Sequence, residues 1–216
     1  MTKLSDASKL FIITAVVFVS VYIYRNYFSN EDYSVPKYIT FKKSIIENAT
    51  FKNNTDDSGK LKQLAQEITA PCNHVENCEI ESIYKYVTKI PYYAGDTTVK
   101  TPVEVLSTNS GDCDEKSFLM ATLLKEKKHT SVLIFTKQNE TYHTFLGVAI
   151  KNDQSLNHNS TFLKVGDQKY YYAETTQSVW EIGDFNGVEQ KDIVGIYDVE
   201  NNKNISLKKV ELVKNS

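Results

Sequence analysis

The sequence lacks a strong net charge, a basic stripe, an internal repeat and any low-complexity tract. Its 216 residues have a formal net charge of −2, with 24% charged and 41% hydrophobic residues. Those fractions are ordinary for a folded domain, so disorder is not the expected state. Without a basic stripe or an RNA-binding signature, nothing indicates a nucleic-acid partner. The length suits one domain with a single core.

The sequence also lacks the residue spacing of a metal site. Cys72 and Cys78 have five residues between them and no second pair that could complete a zinc site. The acidic loops show no calcium pattern of the EF-hand kind. We therefore expect no metal and no cofactor.

Cysteine is scarce, with three copies, Cys72, Cys78 and Cys113. An odd number outside the cytosol suggests one disulfide and one remaining thiol. Cys72 and Cys78 flank a polar loop, NHVEN, and we expect them to pair. The alternative is three unpaired thiols in a reducing compartment.

One long apolar run is present, from Leu10 to Tyr24, and no charge interrupts it. As a helix it spans roughly 22 Å, and neighbouring aromatic residues can extend it toward a bilayer core of about 30 Å. A cleaved signal peptide and a buried helix are the alternatives, but no small-x-small cleavage site follows. We predict a single membrane anchor over 1–28, a stalk over 29–60 and a folded domain over 61–216.

The orientation of this anchor is set only weakly by the few basic residues beside it. Asparagine sequons give a second indication, because Asn-X-Ser/Thr is the glycosylation acceptor of secreted chains. The sequence contains mildly more of these sequons than chance would give, and together with the cysteine pattern they favour a body outside the cytoplasm. The sequons begin at Asn48, Asn53, Asn139, Asn159 and Asn204.

In the body of the chain, helical periodicity comes first and strand-like alternation follows after Lys128. This order predicts an α+β domain with helices packed on an antiparallel sheet. The predicted helices cover 58–68, 79–89, a short stretch from Thr101, and 115–127. The predicted strands cover 131–137, 141–150, 161–165 and 169–175, with one or two more near the carboxyl end.

Cys113 stands at the start of a predicted helix, capped by Asp112 or Ser110. A helix N-terminus has partial positive charge, which favours a nucleophilic thiolate. The Cys113 amide would also face an oxyanion formed on attack. The alternative, a small buried apolar cysteine, fits poorly with the polar neighbours Gly111 and Asp114.

A cysteine nucleophile needs a base, and His143, on a predicted strand, is the best candidate. The other histidines, His74, His129 and His158, are expected to be exposed. Glu174 ends a later strand and could orient the imidazole. Asp167, in a turn, is an alternative acid. A single strand histidine or strand-end glutamate is more often structural than catalytic, so the combination carries the hypothesis.

The combination resembles the transglutaminase-like superfamily over roughly Leu61 to Gly183. NSGDCDEKSFLMATLL is similar to that family's nucleophile helix, YHTFLGVAI to its histidine strand, and YYYAETT to its acid strand. IPYYAGDTTVKTPVEVL resembles the segment that precedes the cysteine in microbial members. One position departs from the pattern, since Glu174 stands where the family usually has aspartate.

The resemblance implies a papain-like fold and acyl transfer through a cysteine thioester, with Cys113, His143 and Glu174 as the catalytic set. The expected function is a membrane-tethered thiol hydrolase or acyltransferase that acts on peptide or amide bonds of a protein or peptide substrate. The alternative is an inactive domain of this fold that serves as a cell-surface binding or assembly module. A second oxyanion donor could come from the Tyr92–Tyr93 region.

Overall fold

The computed structural model describes residues 55–94, 99–156, 160–184 and 187–214. The predicted anchor, 1–28, lies outside these residues, as does the predicted stalk up to residue 54. Within the described ranges, no helix is long and apolar enough to cross a membrane.

Four α-helices form the first half of the described chain, as the periodicity predicts. The helices are α1 (Thr55–Thr69), α2 (Glu76–Thr88), α3 (Pro102–Thr108) and α4 (Cys113–Glu126). Helix α3 begins with Pro102 behind a Thr101 capping box, which suits the fixed φ of proline. Helix α4 begins at Cys113, as predicted for the nucleophile and two residues before the periodic segment 115–127, and Asp112 caps it.

The second half forms an antiparallel sheet, which confirms the α+β class. Its strands, in the order β6-β5-β1-β2-β4-β3-β7 across the sheet, pair antiparallel. The strands are β1 (Ser131–Gln138), β2 (Thr141–Val148), β3 (Thr161–Val165), β4 (Gln168–Ala173), β5 (Ile193–Asp198), β6 (Lys203–Asn204) and β7 (Val210–Lys214).

Helix α4 is the central helix, and it is buried along most of its length. Its residues Phe118, Leu119, Ala121 and Leu123 are all buried. A separate apolar cluster of strand residues includes Ile134, Phe145, Tyr172 and Ile196. The removal of these side chains from water is the main stabilising contribution to the fold.

The turn between α1 and α2 is closed by the predicted disulfide, which joins Cys72 to Cys78 with their Cα atoms 5.4 Å apart. His74 in this loop is exposed, as expected. His129 is not exposed, and that expectation was wrong. Its Nε2 lies 2.8 Å from the buried Glu79 carboxylate, and Nζ of Lys127 lies 2.9 Å from the same carboxylate. A buried carboxylate needs such partners, so the histidine is drawn inward.

Because the disulfide closes a short loop with a sequence separation of 6, the chain-entropy relation predicts a stabilisation of about 2 kcal/mol. Replacing both Cys72 and Cys78 with alanine should lower the free energy of unfolding in urea by that amount. Non-reducing peptide mapping of the natural chain should recover the two cysteines in one linked fragment. Recovery of both cysteines as free thiols would contradict the assigned disulfide.

Candidate active site

Cys113 is the first residue of α4, where backbone N–H groups lack carbonyl partners within the helix. The carboxylate of Asp112 accepts hydrogen bonds from the Asp114 and Glu115 amides, each at 3.0 Å. The Glu115 carboxylate in turn accepts a hydrogen bond from the Asp112 amide at 3.1 Å. Asp112 is therefore the cap, and Ser110 is not. Cys113 itself is 8% exposed and is not part of the disulfide.

His143 and Glu174 are in direct contact, with 2.7 Å between Nε2 and Oε2. A carboxylate can only accept hydrogen bonds, so the proton of this contact is carried by Nε2. Nδ1 is then the ring nitrogen that could exchange a proton with a thiol. The His143 side chain is 29% exposed and that of Glu174 only 4%, so the acid lies behind the base and away from solvent.

The Glu174 carboxylate is held by several further donors. The Thr176 amide and hydroxyl reach Oε1 at 3.0 and 2.8 Å, and the Tyr172 hydroxyl reaches Oε2 at 3.1 Å. Burial by itself would raise the pKa of Glu174. The hydrogen bond and charge of His143, together with the Thr176 donors, outweigh it and lower the pKa to about 2. Glu174 is consequently ionised at neutral pH.

The pair lies where two strands separate. Strands β2 and β4 are paired only from Leu146 with Ala173 to Val148 with Tyr171. His143 and Glu174 lie beyond the end of this ladder. The strands diverge there, and side chains from α4 enter the space between them.

Ser117 is the α4 residue that binds both diverging strands. Its hydroxyl lies 3.2 Å from the Thr144 carbonyl oxygen and 3.0 Å from the Thr175 hydroxyl. Thr144 follows His143 in the chain, and Thr175 follows Glu174. Cys113 precedes Ser117 by four residues, so both lie on one side of α4, one turn apart.

A second contact joins the start of α4 to the histidine strand, because the Thr144 hydroxyl donates to Asp114 Oδ1. The structure thus brings His143 and Glu174 together and fixes the Cys113 end of α4 to the residues that adjoin them. The sequence patterns did not identify Asp114, Ser117, Thr144 and Thr175. One signal was available, since Ser117 is a hydroxyl residue placed directly before the mostly apolar stretch FLMATLL of the same helix.

The Tyr92 segment lies beside the nucleophile. Tyr92 forms a bridge with Gly111, and buried Lys116 holds the preceding chain by donating to the Ile90 carbonyl at 2.6 Å. Partial burial and the nearby charges of Cys113 and its flanking acids raise the pKa of Tyr92. Its hydroxyl therefore stays protonated and able to donate a hydrogen bond.

Asp167, the alternative acid, lies in the exposed turn between β3 and β4. Strand β4 separates it from Glu174, a distance of about 20 Å at the usual rise per residue. Asp167 is therefore too far away to orient His143.

Asp112, Cys113 and Asp114 offer ligand atoms within 4.8 Å of one another, a grouping that the sequence spacing did not indicate. Calcium prefers six to eight oxygen ligands, and this set supplies two carboxylates and a sulfur. Oδ1 of Asp112 already caps α4, and Oδ1 of Asp114 accepts from Thr144. The grouping fits its structural contacts better than it fits a cation, and we assign no metal to it.

The low pKa of Glu174 predicts a pH-dependent contribution to stability. Its pKa falls from 4.5 to about 2 on folding, so the contribution is complete above about pH 4.5 and is lost as the pH falls toward 2. Glu174→Gln should lower the free energy of unfolding by about 3 kcal/mol at pH 7. The difference from the natural chain should shrink between pH 4.5 and 2.

The exposed Glu181 provides a matched control, and Glu181→Gln should change the free energy of unfolding little at any pH. Urea unfolding followed at several pH values measures all three proteins. A difference between Glu174→Gln and the natural chain that is the same at pH 7 and pH 2 would contradict the assigned charge.

Loss of the Ser117 hydroxyl should loosen α4 from both strands. Ser117→Ala leaves the Thr144 carbonyl and the Thr175 hydroxyl without this buried partner, at an expected cost of about 1–3 kcal/mol in unfolding free energy. Thr122→Ala on the same helix is the control, because that hydroxyl bonds only to Phe118 in its own helix. Equal losses in the two variants would show that Ser117 has no special role.

No family model matches the sequence, and a search of curated proteins finds no match. Among solved structures, the chain is similar to a "Putative Cysteine Protease" from Cytophaga hutchinsonii, with 14% identity, a TM-score of 0.47 and coverage of 79% of this chain and 51% of that one. It is also similar to LapG of Legionella pneumophila, with 13% identity, a TM-score of 0.43 and coverage of 73% and 83%.

This chain therefore spans about half the length of the Cytophaga structure. Its resemblance to the transglutaminase-like superfamily rests on its own cysteine, histidine and acid segments, which the fold gathers at one end of the sheet.

Proposed function

We propose that this protein is a transglutaminase-like thiol hydrolase or acyltransferase that acts on peptide or amide bonds, with Cys113 as nucleophile, His143 as base and Glu174 as the orienting acid. The observation that carries the proposal is the His143–Glu174 contact of 2.7 Å, held beside the strand residues that bind α4. A structural histidine does not require an ionised carboxylate fixed behind it by three other donors.

In the proposed reaction, His143 Nδ1 takes the Cys113 proton and the thiolate attacks the substrate carbonyl carbon. The Cys113 amide donates to the oxyanion, and Tyr92 is our candidate for the second donor. The imidazolium then protonates the leaving nitrogen as the C–N bond breaks, which leaves a thioester. Water or an amine gives a proton to His143 and attacks the thioester, and the thiol takes up that proton when it is released.

Glu174 has one methylene more than the aspartate usual in the family, and the structure accommodates it. Its carboxylate contacts His143 through Oε2 while Oε1 accepts from Thr176. An ionised acid in this position holds the imidazole in one tautomer and stabilises the imidazolium during the reaction. We infer that glutamate performs the same orienting role here.

We further propose that the domain is tethered by the N-terminal segment and works outside the cytoplasm. The Cys72–Cys78 disulfide supports an oxidising compartment. The sequon Asn139-Glu-Thr lies in the exposed turn between β1 and β2, where a glycan could be attached. A protein or peptide substrate follows from the amide chemistry proposed for the site.

Alkylation of the one thiol outside the disulfide tests the nucleophile. With iodoacetamide at pH 6.5, Cys113 should react at least about tenfold faster than N-acetylcysteine, because the helix terminus and His143 favour the thiolate. Cys113→Ala should abolish labelling, and His143→Ala should slow it to the rate of the model thiol. Mass spectrometry of the labelled peptide gives the rates.

His74→Ala is the matched control, since His74 is exposed in the disulfide loop, and it should leave the rate unchanged. Incubation of the natural chain with a peptide library, with and without an added amine, should yield cleaved or amine-coupled products. A labelling rate no greater than that of the model thiol, or unaffected by His143→Ala, would overturn the enzyme proposal. The inactive binding module would then be the better account.

A further inference from the structure

A small polar pocket adjoins His143, and the proposed mechanism leaves it without a role. Its volume is about 270 Å³, at the low end for ligand pockets and suited to one side chain rather than a long peptide. The described residues that line it include His143 and Glu174 but not Cys113. The lining consists of Thr136, Gln138, His143, Glu174, Thr176, Gln177, Trp180 and Val188.

The pocket lies on the histidine side of the reacting centre. The His143 ring stacks near Phe145, which packs on Tyr172 with 4.1 Å between ring centroids. Thr144 points the other way and contacts α4. His143 protonates the leaving nitrogen through Nδ1, so the leaving group lies next to the imidazole, and the pocket that the same ring lines adjoins the amine portion of the substrate. A pocket here receives the residue that follows the broken bond.

The lining presents hydrogen-bond acceptors. The Thr136 hydroxyl already donates to the His143 carbonyl at 3.2 Å, and the Thr176 hydroxyl donates to Glu174 at 2.8 Å. The Gln138 amide nitrogen donates to Asp192 at 2.7 Å. The oxygens of these groups therefore remain as acceptors for a ligand. No lysine or arginine is among the described lining residues.

Charge in the wall excludes acidic side chains. Glu174 is ionised at all physiological pH values because its pKa is about 2. A second carboxylate brought close to it would be repelled, whereas a neutral carboxamide would offer N–H donors to the acceptor oxygens. The Trp180 indole and Val188 provide apolar walls for the methylene groups of such a side chain.

The wall that carries Trp180 is fixed at both ends, so the pocket is formed before any ligand arrives. At one end Thr176 binds Glu174. At the other end the Gly183 amide donates to the Tyr172 carbonyl at 2.7 Å. Between them the buried Tyr84 hydroxyl donates to the Trp180 carbonyl at 2.9 Å.

We infer that this pocket selects a carboxamide side chain, glutamine or asparagine, at the residue on the leaving-group side of the cleaved bond, and that it rejects the acidic counterparts. The inference rests on the proposed function and specifies the class of substrate residue that the enzyme prefers on the leaving-group side. Gln177 sets the preference at the exposed rim of the pocket.

The chain contains a single tryptophan, and Trp180 therefore reports binding directly. Titrating the Cys113→Ala protein with glutamine α-amide and with glutamic acid α-amide compares two probes of equal shape. The glutamine probe should change Trp180 fluorescence saturably, with a Kd about fivefold or more below that of the acidic probe. Gln177→Lys should remove or invert this preference. Gln154→Lys, at an exposed glutamine in a different loop, should not.

Peptide cleavage by the natural chain separates the two claims. Cleaved peptides should carry glutamine or asparagine after the broken bond more often than glutamate or aspartate. If the chain cleaves peptides and yet neither probe perturbs Trp180, or both bind equally, the pocket inference is wrong. If the chain neither cleaves peptides nor couples them to an amine, the proposed function is wrong whatever the probes do.

Discussion

The geometry of the site depends on how α4 enters the gap between β2 and β4. The Ser117 hydroxyl spans this gap by bonding the Thr144 carbonyl at 3.2 Å and the Thr175 hydroxyl at 3.0 Å. These two residues adjoin His143 and Glu174, so a shift of the helix relative to either strand would change the position of one candidate relative to the others. Buried hydroxyl contacts of this kind resist such shifts, because breaking them leaves unpaired polar groups away from water.

The same arrangement explains why a glutamate can occupy the acid position. Glu174 lies just past the end of β4, where the backbone no longer pairs with a neighbouring strand. The chain can therefore turn, and the Thr176 amide donates to the Glu174 carboxylate at 3.0 Å. The cost of burying its charge is offset by His143 and by the donors around it, and the low pKa follows. An acid held in this way can fix one tautomer of the imidazole, which a solvated strand-end glutamate could not do.

Local sequence patterns were sufficient to predict most of the helices and strands. Strand β3 has the predicted bounds, Thr161–Val165, because β-branched and aromatic residues there are bounded by turn residues. The Cys72–Cys78 pair was predicted because the two cysteines are close in sequence. Helix starts were less accurate, since α1 and α2 each begin three residues before the predicted positions 58 and 79, and the hydrophobic period does not report where the first turn begins.

Contacts between distant segments were beyond such patterns. His129 was expected in solvent, yet it is drawn to Glu79, 50 residues earlier in the chain. Ser117 and Thr175 are 58 residues apart, and nothing in either segment alone indicates that they meet. The Trp180 pocket joins residues from two strands and a loop, so no single segment of the sequence indicates it.

The most direct test of the roles proposed for Cys113 and His143 is the thiolate absorbance of Cys113 near 240 nm as a function of pH. If Cys113 and His143 act together, the natural chain will retain thiolate absorbance below the pH at which a model thiol loses it, and His143→Ala will abolish that absorbance. An ordinary thiol titration, identical in both proteins, would contradict the account.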